Sequence, residues 1–233
     1  MPDESAEFRL DGYRHTNLRL QWHFEIKFWS DRPLMTMLAD HHREDDRHSY
    51  FILHDGTAIW GHPGEDQILA LHITRIPELG LFDYRYTSFP LPAMAQSWVI
   101  ARGCPPQEIG LREGVGTAPA DDITRRLEQR VTGYGDHFAH IHSYTDEDPP
   151  RTTVLLGALG DSPAPFRVLL ETTDMQARTH SLREGGFTTM SAAEWWLSEF
   201  WRGNEAPLPP VPSVSNVRGP AAPSADPPLP RRR

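Results

Sequence analysis

Residues 17–28 carry the sharpest pattern in the chain. Leu18, Leu20, Trp22, Phe24, Ile26 and Phe28 alternate with Asn17, Arg19, Gln21, His23, Glu25 and Lys27. Successive side chains of a strand point to opposite faces, so the alternation predicts a strand with one dry face and one wet face. A helix is expected next. Ser30 can cap it, Asp31 suits the positive end of the dipole, and Pro33 is tolerated in the first turn. Leu34, Met37, Leu38 and His41 or His42 would then share one side, with the end before Ser49. A meander follows: a strand over 49–54, a tight hairpin at Asp55-Gly56, a return over 57–61, a turn at His62-Pro63-Gly64-Glu65, and a strand over 67–76. Residues 82–89 and 97–101 read as two further strands, separated by Pro90-Leu91-Pro92.

Residues 103–119 are rich in Gly and Pro and read as a connecting loop. Asp121 or Asp122 then starts a helix with Ile123, Leu127 and Val131 at i, i+4 and i+8, stopped by Gly133. Strands are expected at about 137–144, 152–159, 166–173 and 177–183. Ser191 and Glu194 have the spacing of a capping box and predict a last helix, rich in Trp and Phe and ended by Gly203. The fold expected is α+β: mainly antiparallel sheet or sheets with about three helices packed on one side. A β-sandwich with peripheral helices is the competing architecture. The organisation expected is a flexible N-terminus (1–14), a β-rich first half with one helix (15–102), the loop (103–119), and a second half of helix, strands and helix (120–205). The halves share a grammar but no residue-level repeat is visible. Residues 206–233, with nine prolines in 28 residues, read as a disordered Pro-rich tail.

Composition narrows the function classes. The 233 residues hold 23 Lys plus Arg against 32 Asp plus Glu, a net charge of −9. An acidic chain lacks the surplus positive charge that replaces counterions on nucleic acid, so no nucleic-acid partner is expected. No apolar run reaches the roughly eighteen residues of a membrane span, and no membrane association is expected. One cysteine, Cys104, cannot form an intramolecular disulfide. The acidic start lacks the features of a secretory signal, so the expected location is the cytoplasm.

Twelve histidines are the unusual feature. On the helix expected over 31–48, His41, Glu44 or Asp45, and His48 would share a face and could hold a divalent metal such as zinc. On the strand at 137–144, His140 and His142 would point to one face, with Glu147 five residues later. That trio resembles the first half of the metal motif of the cupin family, His-x-His followed by Glu. The resemblance covers eight residues. It implies metal binding through His140, His142 and Glu147, whereas the family's flanking glycines and its later Pro-x-Gly-x-x-His segment have no counterpart here. Cys104 sits in a turn-like Gly-Cys-Pro-Pro setting, and no nucleophile elbow, phosphate loop or dinucleotide fingerprint is present. Gly185-Gly186 could let a backbone approach a ligand closely. Trp195, Trp196 and Trp201 crowd one short helix, more ring surface than one narrow stripe accommodates, and are candidates for a protein interface or self-association.

The expectation is therefore a non-enzymatic binding or protein-interaction module, with no cofactor assigned. The alternative is a metal-dependent, hydrolase-like enzyme using a histidine cluster, in which the metal would activate water.

Overall fold

The computed structural model describes residues 8–59, 62–133, 137–204 and 206–212. It contains two five-stranded sheets. Across the first sheet the strands run in the order 14–15, 81–89, 68–76, 48–55, 35–42, and across the second 118–119, 179–187, 166–174, 150–158, 138–147. β1 (Arg14–His15) leads to α1 (Leu18–Phe24), which continues as a π-helical turn over Glu25–Ser30. Then come β2 (Met35–His42), β3 (His48–Asp55), β4 (Ile68–Ile76), β5 (Leu81–Phe89) and α2 (Pro92–Ile100). The second unit repeats that order: β6 (Ala118–Pro119), α3 (Asp122–Val131), β7 (Phe138–Glu147), β8 (Pro150–Ala158), β9 (Phe166–Asp174), β10 (Thr179–Phe187) and α4 (Met190–Trp201). The short strand of each unit pairs in parallel with its last strand, β1 with β5 and β6 with β10, and the other pairings are antiparallel. The sheets are thus mixed rather than purely antiparallel, within an α+β fold.

The helices do not lie on one side, as the sequence pattern had suggested. Phe24 and Phe28 pack with Phe8 on one face of the first sheet, against Met37, Phe51, Leu69 and Leu71. Ala95 and Val99 of α2 pack on its other face, against Tyr50, Ile52 and Ala70. Leu91 and Ala93, at the start of the same helix, join Leu127 and Val131 of α3 on the second sheet, against Val154, Leu169 and Leu182. Trp196, Leu197 and Phe200 of α4 cover the far face of that sheet, against Leu155 and Val168. The layers run α1, first sheet, α2 with α3, second sheet, α4. A sheet covered on both faces needs apolar residues at consecutive positions, and 50–53 and 68–71 are buried without interruption.

The same geometry explains the corrections. Residues 18–28 form a helix and not a strand. Their alternation places two apolar stripes on roughly opposite sides of a helix turning about 100° per residue. Leu20, Phe24 and Phe28 form one stripe, while Leu18, Trp22 and Ile26 form the other. Asn17 caps this helix, its side chain accepting from the Arg19 and Leu20 amides at 2.9 and 3.4 Å. Residues 97–101, read as a strand, belong to α2. There Ala93 and Ser97 alternate with Ala95 and Val99 because both sides of the helix are covered. The helix expected from Ser30 is instead a short 3-10 turn, Arg32–Leu34, followed by β2.

Asp55-Gly56 does not make a two-residue hairpin. Asp55 ends β3, and its carboxylate accepts from the Thr57 amide and hydroxyl at 2.9 and 2.7 Å, an Asx turn opening a longer loop. The expected return strand over 57–61 is a turn as far as Ile59, and Trp60 and Gly61 lie outside the described residues. The last helix is capped by Thr189, which accepts from the Ala192 amide at 3.2 Å, rather than by the Ser191–Glu194 box. Gly203, at φ +88°, ends it.

The tail is ordered at its start. Pro209 accepts a hydrogen bond from Gly186 at 3.1 Å, and Leu208 packs against the α4 core. A Cβ on Gly185 would stand 2.7 Å from Leu208, and one on Gly186 3.2 Å from Val211. The glycine pair therefore admits the chain's own strap, 206–212, along the β10 edge. The rest of the expected tail, 213–233, lies outside the described residues, as do 1–7 and 134–136.

Candidate functional site: the cleft between the two sheets

The inward row of the second sheet changes character along its length. At one end Leu156, Leu169 and Leu182 are sealed under α2 and α3. At the other end the same rows continue as Thr152, Glu171, Thr173 and His180, and these face an open cleft of about 530 Å³. Its opposite wall is the first sheet, with Leu38, His54 and Ile68, and its roof is the connecting loop, with Val115 and Thr117.

Neighbouring strands set the floor. Glu171 on β9 stands directly across from Thr152 of β8 and Leu182 of β10. His180 is buried, and both of its nitrogens are engaged. Nδ1 meets the Thr117 hydroxyl at 2.9 Å, and Nε2 meets Glu128 of α3 at 2.8 Å. Burial alone would lower the His180 pKa, but the Glu128 hydrogen bond and the charges of Glu171 and Glu128 outweigh it and raise it. Glu171 has no hydrogen bond among the described residues. Burial pushes its carboxyl up to about 7, with His180 pulling it down and Glu128 pushing it up. Four carboxylates, those of Glu128, Asp146, Glu147 and Glu171, line the cleft against Arg151 and the imidazoles of His54 and His180.

The histidine clusters singled out from sequence take other positions. His41 and His48 lie on β2 and β3, their rings 6.3 and 6.4 Å from that of Tyr50, while Glu44 sits exposed in the intervening turn. The helical face expected to unite the three does not form. His48 shares a hydrogen bond with His72, Nδ1 to Nε2 at 3.0 Å. Burial, then the nearby His48, Arg102 and Arg85, lower the His72 pKa to about 4, so the imidazole is held neutral.

His140 and His142 do not share a face. A β-bulge between them sets His140 opposite Leu156, on the inward row, and His142 opposite Leu155, on the α4 side. His140 meets Ser143 at 3.0 Å, and Ser143 donates to Asp66 at 2.5 Å. Glu147 accepts from Gln67 at 3.4 Å. Among the described residues no three His, Cys, Asp or Glu side chains stand together as a metal site. Burial, with Glu108 adding to it, pushes the Cys104 thiol up to about 12, far from a reactive thiolate.

The three tryptophans divide. Trp196 is 4 % exposed and stacked on Phe200 at 5.2 Å, so it belongs to the core and not to an interface. Trp201 is half-buried and donates to Thr153 at 3.2 Å. Trp195, 64 % exposed, is the one that faces outward.

Glu128, Glu171, Thr117 and His180 were not singled out from sequence. The available signal was an acid in the row Leu169, Glu171, Thr173, where an inward strand position would ordinarily be apolar. No helix among the described residues is long and apolar enough to cross a membrane. No family model, curated protein or solved structure matches the chain.

Proposed function

We propose that the protein is a non-enzymatic binding module whose inter-sheet cleft takes an organic cation, an amine carried on an apolar body. The observation that carries this is the half-buried Glu171 carboxyl, set into the floor of the cleft without a hydrogen-bonding partner among the described residues. A buried carboxyl ionises when a cation is brought to it, and an ammonium group supplies that cation. Leu38, Ile68 and Val115 offer apolar walls for the body of the ligand. His180 is already committed at both nitrogens, which favours a structural over a proton-shuttling role for it.

Titration calorimetry with hexylamine, and with hexanoate as the oppositely charged control, tests this. Hexylamine is expected to bind, more tightly as the pH rises through about 7, and hexanoate is not. Glu171→Gln should lose at least tenfold in hexylamine affinity while keeping the native melting temperature or raising it. Equal binding of both probes, or unchanged hexylamine binding by the variant, would overturn the proposal.

A second reading, self-association, is favoured by one comparison within the molecule. Counting from the equivalent caps Asn17 and Asp121, the outward positions of α3 are Asp122, Arg126 and Arg130, and those of α1 are Leu18, Trp22 and Ile26. Leu18 is 83 % and Trp22 64 % exposed. The same solvent-facing stripe is thus charged in one unit and apolar in the other, as expected if a second copy covers α1. Sedimentation of the full chain should show a dimer that Trp22→Arg dissociates. A monomer at every concentration would contradict it.

A further inference from the structure

A different part of the molecule has the opposite electrostatic character. The C-terminal end of α2 separates two adjoining depressions of about 320 and 490 Å³, and Trp98 and Arg102 line both. The Arg102 guanidinium lies 3.5 Å over the Trp98 ring, and its Nη1 donates to the Trp98 carbonyl at 3.0 Å. The larger depression adds Arg85, His23, Tyr84 and Tyr86, and the smaller adds His140 against apolar walls that include Met94 and Phe138. No Asp or Glu lines either one, in a chain where acids outnumber bases 32 to 23.

The cations are not neutralised by the surrounding elements. Arg85 makes no hydrogen bond or ion pair among the described residues, and Arg102 meets no carboxylate there. Arg85 stands beside His72 in the strand register, so the groups facing it are that neutral imidazole and Arg102. His140 is the exception, since it reaches Asp66 through Ser143. Two guanidiniums that line one depression without a carboxylate beside them are stabilised by an external anion. The rings around them select its body: Tyr84, Tyr86 and Trp98 present aromatic surface for a flat ligand.

We infer that the depressions around Trp98 and Arg102 form a second binding site, for an aromatic anion whose carboxylate or phosphate is held by Arg85 and Arg102. This site is independent of the cleft proposed above and would survive the failure of that reading. Both volumes fall in the range of small-molecule pockets, roughly 300–1,000 Å³.

Calorimetry on the full chain with 2-naphthoate and 2-naphthyl phosphate, and with 2-naphthylmethanol as the neutral control, tests the inference. Both anions are expected to bind at least tenfold more tightly than the alcohol, and more weakly in high salt. The tighter of the two identifies the head group. Arg102→Gln should abolish most of that preference. Arg85→Gln, at an exposed position without partners, should reduce it at least several-fold with the melting temperature unchanged. Glu171→Gln should leave anion binding as it was. Equal binding of the alcohol, or full anion affinity in Arg85→Gln, would overturn the inference.

Discussion

Glu171 and Arg75 are two ionisable side chains drawn out of bulk water to different degrees, Arg75 fully buried and Glu171 half-buried on the floor of the cleft, and the fold treats them differently. Arg75 is 1 % exposed, yet its guanidinium is fully engaged. It donates to the carbonyls of Phe8 at 2.5 Å, Arg9 at 3.0 Å and Asp46 at 3.3 Å, and to the Ser49 hydroxyl at 2.8 Å. It thereby pins the segment that brings Phe8 into the core. Arg75→Met should cost about 2–4 kcal/mol, because several buried acceptors lose their donor, and hydrogen exchange should show 8–10 opening first. Normal protection there would contradict this role. Glu171 has no such set of donors. Its carboxyl holds its proton up to about 7 in the native protein but only to about 4.5 when unfolded. The native state therefore binds the extra proton between those values, and stability falls as pH rises through that window. Glu171→Gln removes the effect, and comparing the two proteins cancels the opposing titration of His42, His48 and His72, whose pKa values are lowered. The variant should match the wild type below pH 4.5 and exceed it by up to about 3 kcal/mol at pH 8. A constant difference would count against a desolvated Glu171 carboxyl. Arg75 was not legible in the sequence, because only the packing of distant elements removes its water; Glu171 left one trace, an acid at an inward position of the row Leu169, Glu171, Thr173.

Helices with two apolar sides are where sequence pattern and structure part. Period-two alternation ordinarily means a strand, but on α1 and α2 it places side chains on two opposite stripes. α2 uses both, Ala93 toward the second sheet and Ala95 with Val99 toward the first. The elements read correctly, such as α3 and strands β7 to β10, have a single governing periodicity or a hairpin with clear turns. The tail divides for a related reason. Proline content disfavours regular structure, but it does not prevent an extended strap from lying on a strand edge where Gly185 and Gly186 leave room. Deleting 213–233 should leave the melting temperature unchanged. Deleting 206–233 should lower stability by about 1–2 kcal/mol, the scale of one buried leucine with one hydrogen bond. Equal melting of the two truncated proteins would show that the strap contributes nothing.

At the scale of the whole molecule, one unit of strand, helix, four strands and helix occurs twice, and the first unit's last helix serves both sheets. That arrangement was half visible, as a shared grammar, because the topology repeats while the residues do not: the α1 stripe Leu18, Trp22, Ile26 stands where α3 carries Asp122, Arg126 and Arg130. The His140–His142 pair was misplaced by a single bulge, which no pattern of alternation reveals. The cleft is likewise a product of the assembled molecule. Its floor comes from the second sheet, its wall from the first and its roof from the loop that joins them. The most direct test is a carbon-detected NMR titration of the Glu171 carboxyl, assigned with Glu171→Gln, in the presence and absence of hexylamine. The expected midpoint is near 7 without the amine and clearly lower with it. A midpoint near 4.5, the value of an ordinary glutamate, or one that the amine does not move, would contradict it.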